Sequence, residues 1–191
     1  MAYYWDEMAK EIAQEIAVLR WRGDKAGETD TFLDLCDGYE KKFNADADVI
    51  KPTASVITSA NVLAEMATVY AALPGKVRAN KADLRFYVSS NVYAAYQLAA
   101  AAGNTLTYVT QSLGDTFLGI KIVIIDGASD NTMVLTNKMN LIYAFDGEGD
   151  AKALKAVNLE DSVAEPLLRT RANIKVGFFY SNPTEIVFYQ A

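Results

Sequence analysis

Leu84-Arg85-Phe86-Tyr87-Val88-Ser89-Ser90-Asn91-Val92-Tyr93 is the stretch from which the fold class is read. Leu84 to Val88 is short, apolar and rich in strand formers, so it predicts a buried strand. Ser89, Ser90 and Asn91 follow, and their side-chain oxygens suit a helix N-terminus. A helix is therefore expected from Val92 to Ala102, closed by Gly103. Its tract Ala99 to Ala102 has small side chains and lets a neighbouring element come close. Upstream of this junction the apolar period is helical. Downstream, after Thr105, it changes to two. Helices early and strands late make the class α+β.

Working towards the N-terminus, Val62, Met66, Val69, Tyr70 and Leu73 form a helical stripe. Thr58 or Ser59 can cap it, and Pro74-Gly75 stops it. Ala45 to Ser55 reads as a connection and a candidate lobe boundary. Thr31 to Asn44 reads as a short helix or compact loop. The first segment is a strong amphipathic helix. Trp5, Met8, Ala9, Ile12, Ile16 and Leu19 lie on one face, opposite Asp6, Glu7, Lys10, Glu11, Gln14 and Glu15. It ends near Trp21-Arg22-Gly23-Asp24, where a left-handed Gly23 is the expected cap. The opening residues carry no basic region and no apolar core of a signal peptide.

Towards the C-terminus, Phe117 to Ile125 reads as a strand interrupted at Gly119, followed by turns at Asp126-Gly127 and Asp130-Asn131. Thr132 to Thr136 and Leu141 to Phe145 are two further strands. Asp146 to Asp150 is an acidic loop, and Lys152 to Asp161 has no decisive pattern. Leu168 to Val176 alternates apolar and charged residues, Ser181-Asn182-Pro183 turns the chain, and Ile186 to Tyr189 returns. A terminal hairpin is expected there.

Composition excludes much chemistry. The chain has 191 residues, 51% apolar and 22% charged, with a net charge of −6. Folding a chain of this length hides roughly 70% of its surface, enough for one sizeable core or two modest lobes. Histidine is absent and Cys36 is the only cysteine. That removes the usual general base, histidine-activated nucleophiles, intrachain disulfides and cysteine-based zinc sites. No apolar run reaches the ~20 residues of a membrane span. The acidic balance disfavours a whole-domain nucleic-acid footprint.

The remaining motifs have plain readings. Asp146, Glu148 and Asp150 alternate like the start of a calcium loop, but Ala151 and Val157 stand where that loop needs Gly and Glu. A solvated acidic turn is the better reading. Arg22-Gly23-Asp24 matches a cell-adhesion tripeptide, but a helix C-cap followed by a polar loop explains Gly23 fully and is the better reading. Cys36 sits beside Asp37 with no base in the chain, so it reads as a small buried apolar side chain. Arg169, Arg171 and Lys175 share one face of a strand. They suit phosphate, acidic groups on another subunit, or an exposed edge protected from aggregation. The tryptophans and tyrosines fall mostly on apolar faces and read as core or subunit contact. No phosphate loop, dinucleotide fingerprint or nucleophile elbow is present.

The order of elements resembles a known family. The helix running into Glu15-Ile16-Ala17-Val18-Leu19-Arg20-Trp21-Arg22-Gly23-Asp24, followed by Phe32-Leu33-Asp34-Leu35, resembles the end of the spine helix in major capsid proteins of tailed bacteriophages. The helix Asn61 to Leu73 and the stretch Leu84 to Tyr93 are similar to that family's helix, buried strand and capped helix. Phe117 to Val123, Thr136 to Tyr143, and Arg171 to Tyr180 with Asn182 to Val187 resemble its later strands. The family's N-terminal arm and extended hairpin have no counterpart ahead of the first helix, and a truncated chain is one expectation.

The resemblance implies a two-lobed capsid-type fold, shared with encapsulins, with the spine helix packed on the terminal hairpin. It implies a peripheral lobe at 1–56 and 164–191, and an axial lobe of helices around a small mixed sheet at 57–163. It implies a structural subunit that forms pentamers and hexamers of an icosahedral shell around DNA. Such a protein belongs to the virion, and to the bacterial cytoplasm before assembly. No catalytic, cofactor or metal residue, no membrane and no small-molecule substrate would be involved, and DNA contact would be non-specific at most. Subunit-contact candidates are Asp126, Asp130 and Asn131 near the capsomer axis, with Arg169, Arg171 and Lys175. The alternatives are an encapsulin-type nanocompartment, a small-molecule-binding α+β module and an enzyme working with carboxylates alone.

Overall fold

A computed structural model describes residues 2–27, 32–103, 116–145, 154–158, 168–172 and 175–191; at 2–5, 103, 154–158 and 168–172 the description is of backbone only. Strand β1 (Leu84–Ser89) is its centre. It runs parallel to β3 (Ile120–Ile125) and antiparallel to β4 (Thr132–Asn137). Strand β2 (Thr116–Phe117) pairs with β3, and β9 (Val187–Gln190) pairs with β4, giving the order β2-β3-β1-β4-β9. The expected strand 117–125 is thus a tight hairpin. Leu118 and Gly119 have φ of 51° and 81°, so the backbone turns where the sequence suggested only an interruption.

Helices cover both faces of this sheet, as the alternation along β1 requires. Leu84, Phe86 and Val88 join Ile120, Ile122, Met133, Leu135, Val187 and Tyr189 beneath α3 (Val62–Ala72) and α5 (Ser90–Gly103). Helix α3 contributes Val62, Met66 and Val69, with half-buried Tyr70 packed against them, and Leu73 of the predicted stripe follows just past its end. On the other face, Tyr87 meets Trp21 at the end of α1 (Ala2–Arg22), with ring centroids 6.3 Å apart. Trp21 leads through Tyr39 and Phe43 of α2 (Tyr39–Ala45) to Phe188 of β9 by ring contacts of 5.2 to 5.7 Å. These rings are core, as the apolar patterning predicted for Trp21.

Capping differs in detail from expectation. Asn61, not Thr58 or Ser59, stands before α3, and its Oδ1 accepts from the Thr58 N–H at 2.7 Å. Pro74 ends α3 and at once begins the short α4 (Gly75–Arg78), because a proline fits a first helical turn. Residues 32–45 form a 3-10 turn, Phe32–Leu35, and then α2. Gly23 does not take the left-handed conformation. It is needed for close approach: a Cβ there would lie 2.3 Å from the Cys36 carbonyl oxygen and 2.6 Å from that of Leu19.

The expected terminal hairpin does not form. Strand β7 (Leu168–Ala172) pairs with β6 (Leu154–Asn158), β8 (Val176–Tyr180) with β5 (Leu141–Phe145), and β9 with β4. The reason lies in Val187-Phe188-Tyr189, three consecutive buried residues. An edge of a solvated hairpin would alternate, whereas β9 has core on both faces. Its outer edge is also covered, since Ile50 exchanges bonds of 2.9 and 3.0 Å with Phe188 and Ile186. Asn140 fixes the turn before β9. Its buried amide donates to Thr136 Oγ1 and the Asn182 carbonyl, and accepts from the Ser181 and Asn182 N–H groups, all at 2.7 to 3.0 Å.

By compactness the chain divides into Met1–Leu141 with Tyr180–Ala191, and Ile142–Phe179. The first unit holds the covered sheet, so β9 of the expected peripheral segment shares a layer with strands of the expected axial lobe. The second holds the strand pairs β6–β7 and, for most of their length, β5–β8.

Candidate interaction surfaces

Among the described residues no cluster of three or more metal-ligating side chains occurs, and no helix is long and apolar enough to cross a membrane. Cys36 is half-buried, and burial pushes its thiol up in pKa, with Lys42 opposing and Asp37 adding to the rise. That is the reverse of an activated thiolate. The Arg22-Gly23-Asp24 tripeptide is tied into the helix end. Asp24 pairs with Lys41, accepts from the Ala26 N–H at 2.8 Å, and is held below the usual carboxylate range chiefly by Lys41. Lys41 also bridges to Asp37 at 2.7 Å. The acidic loop 146–150 lies outside the described residues.

The loop between β3 and β4 is built from the inside. Gly127 has φ of 86°, and a Cβ there would sit 2.5 Å from the Val18 Cα, so the loop lies against the backbone of α1. Glu40 of α2, buried to 6% exposure, accepts from the Ser129 N–H and Oγ, both at 2.7 Å, and from Gln190 Nε2 at 3.1 Å. Asn131 stands at φ 56°, a conformation asparagine tolerates. Its Oδ1 accepts from Asn91 Nδ2 and the Ile57 N–H, and its own N–H donates to Asn91 Oδ1. Asn131 therefore serves the interior of the chain. Asp126 and Asp130 are exposed and available to a partner.

The other predicted cluster is placed by register. Arg169 stands opposite Val157 and Arg171 opposite Lys155 in the antiparallel pair β6–β7. Directly opposed residues share a face, so Lys155, Val157, Arg169 and Arg171 belong to one face of the pair. Lys155 was missed in the sequence because Lys152 to Asp161 showed no pattern. Lys175 is exposed and lies beyond β7.

Two further surfaces were not read from the sequence. In the second unit, Ile142, Tyr143, Phe145 and Phe179 on β5 and β8 are exposed by 42 to 55%. Tyr143 stacks on Phe178 at 5.7 Å and meets Phe145 at 5.8 Å. All four residues of β5 from Ile142 to Phe145 are exposed, so alternation alone would not have found this patch. In the first unit, a groove of about 650 Å³ runs along α1. Its lining is Glu11, Gln14, Glu15 and Val18 with Phe32 and Leu33 of the 3-10 turn. The Ile12 and Ile16 stripe, only half-buried, marks this stretch of α1 as less covered than its end at Leu19 and Trp21.

No family model and no curated protein matches the chain. Its fold does match solved structures. One is a chain of the satellite phage P4 procapsid including the size determination (Sid) protein, at TM-score 0.65 and 12% identity, covering 99% of this chain and 66% of that one. A second belongs to Mycobacterium phage Che8, at TM-score 0.64 and 14% identity, covering 97% and 61%. A third is the capsid of an empty GTA particle computed with C5 symmetry, at TM-score 0.52 and 14% identity, covering 98% and 63%. The chain thus spans 61 to 66% of the length of these three chains. At these identities the likeness is one of fold: this is an α+β fold of the phage-capsid type.

Proposed function

We propose that the chain is a structural subunit of a bacteriophage or prophage capsid, associating with copies of itself into pentamers and hexamers that close an icosahedral shell around DNA. The observation that supports this best is the fold match, which runs through 97 to 99% of the chain in two phage structures. The surfaces agree with it. The first unit has a sheet covered by helices on both faces. The second unit half-exposes Tyr143, Phe145 and Phe179, aromatic side chains that a neighbouring subunit would cover. Shell contacts can each be weak, since many act together.

Asp126 and Asp130, and the cations Arg169, Arg171 and Lys175, would serve as contact residues. No catalytic residue, cofactor, membrane or small-molecule substrate has a part. DNA is held non-specifically at most, since local rather than net charge faces a genome. The protein would reside in the virion, and in the bacterial cytoplasm before assembly.

Sedimentation velocity over a wide concentration range tests the reading. Growth from monomer to five- or six-membered species, and then to larger ones, is expected. A single monomeric boundary at every concentration and salt would contradict it.

A further inference from the structure

The β6–β7 register sets a problem that the shell reading can solve. Lys155 and Arg171 stand directly opposite each other, and Arg169 lies two residues along the same face. Like charges opposed across an antiparallel pair destabilise it. An anionic surface against such a face would offset that cost. The groove along α1 offers one. Glu11 and Glu15 are exposed on its rim, and among the described residues neither makes an ion pair, whereas Glu7 is bound to Lys10 at 2.8 Å. Val18, Phe32 and Leu33 give it an apolar lining.

The spacings agree. Residues four apart on a helix are separated by about 6 Å along the axis. Residues two apart on a strand are separated by about 6.6 Å. Glu11 and Glu15 thus repeat at nearly the interval of Arg169 and Arg171. Val157 shares the basic face and gives the apolar lining its counterpart. A polyanion such as DNA would match the cations but has no use for Val157.

We infer that the groove between α1 and the 3-10 turn receives the basic face of the β6–β7 strand pair of a second copy of this chain. This rests on the shell-subunit reading and names one contact within it. The two surfaces differ, so the contact is head-to-tail, the kind that closes into rings.

Charge reversal tests it. One variant carries Glu11→Lys and Glu15→Lys, another Arg169→Glu and Arg171→Glu, and a third carries all four changes. Circular dichroism checks folding, and sedimentation reads assembly. Each two-site variant alone should associate at least about tenfold more weakly than the wild type, because like charges then meet. The four-site chain should recover wild-type assembly, and an equimolar mixture of the two should recover even-membered rings, in which the variants alternate, but not five-membered ones. The milder pair Glu11→Gln and Glu15→Gln gives a smaller loss in the same direction, and covers the case where a reversal unfolds the chain.

If the wild type assembles and the reversals assemble equally well, this contact is wrong and the shell reading stands. If the four-site chain recovers but the mixture forms no even-membered rings, the charges meet within one chain and the inference falls. If nuclease treatment dissolves wild-type assemblies, nucleic acid covers the basic face and it falls likewise. A wild type that never assembles removes the shell reading itself.

Discussion

Replacing Glu40 tests how the β3–β4 loop is held. The carboxylate is buried and receives three bonds, two of 2.7 Å from Ser129 and one of 3.1 Å from Gln190. Hydrogen bonds to a charged group contribute roughly 1.5 kcal/mol or more each, so the gross loss in Glu40→Ala is about 4.5 kcal/mol. Removing a buried charge recovers part of its desolvation cost, and the Ser129 hydroxyl can rotate to another acceptor. A net loss of about 3 kcal/mol is expected. For a chain of this size that lowers Tm by about 6–12 °C. Ser129→Ala should cost only about 1 kcal/mol, since the Ser129 N–H bond survives. In a double-mutant cycle followed by urea denaturation, the double variant should be more stable than the sum of the singles predicts. A loss under 1 kcal/mol in Glu40→Ala, or strict additivity, would refute the idea that this carboxylate anchors the loop to α2 and β9.

Further outcomes are expected. Gly127→Ala should destabilise by at least about 2 kcal/mol in thermal melts, since it meets both a positive φ and the Val18 backbone, and a wild-type Tm would disprove that close packing. Burial pushes the Tyr39 phenol up to about 12, and burial with the bond to Asp46 does the same for Tyr180. An unfolded phenol ionises near 10, so their contribution is whole below pH 10 and is lost as pH rises towards 12. Melting temperature against pH should be flat into the mild alkaline range and then fall, with tyrosinate absorbance rising in step. Tyr143→Ser with Phe145→Ser should cost about 1–3 kcal/mol of monomer stability, since the ring contacts to Phe178 and between the two go with it, and should weaken self-association of the still folded chain by at least about tenfold in sedimentation.

The sequence reading succeeded where burial is one-sided and local. The α3 stripe, β1 and the existence of α5 follow from apolar period, although α5 takes in Ser90 and Asn91, which were expected to precede it. It failed where pairing is settled by distant partners. Nothing within Leu168 to Tyr189 says that β7 turns to β6 and β9 to β4; the buried run at Val187 to Tyr189 hinted at a covered strand. Gly23 and Gly127 show the same limit. Both lie at helix ends or turns, yet what demands glycine at 23 is another backbone passing within contact distance. The inward bonds of Asn131 were not legible, because they depend on Asn91 and Ile57, 40 and 74 positions away. The contact surfaces were partly legible. Arg169 and Arg171 alternate visibly, but Lys155 joins them only through strand register.

Electron microscopy of the purified product of the complete gene is the most direct test that this chain exists to meet copies of itself. Closed, hollow shells of uniform diameter, with pentameric and hexameric units in their walls, are the result expected. Isolated monomers on every grid, from dilute to concentrated solution and from low to high salt, would contradict it.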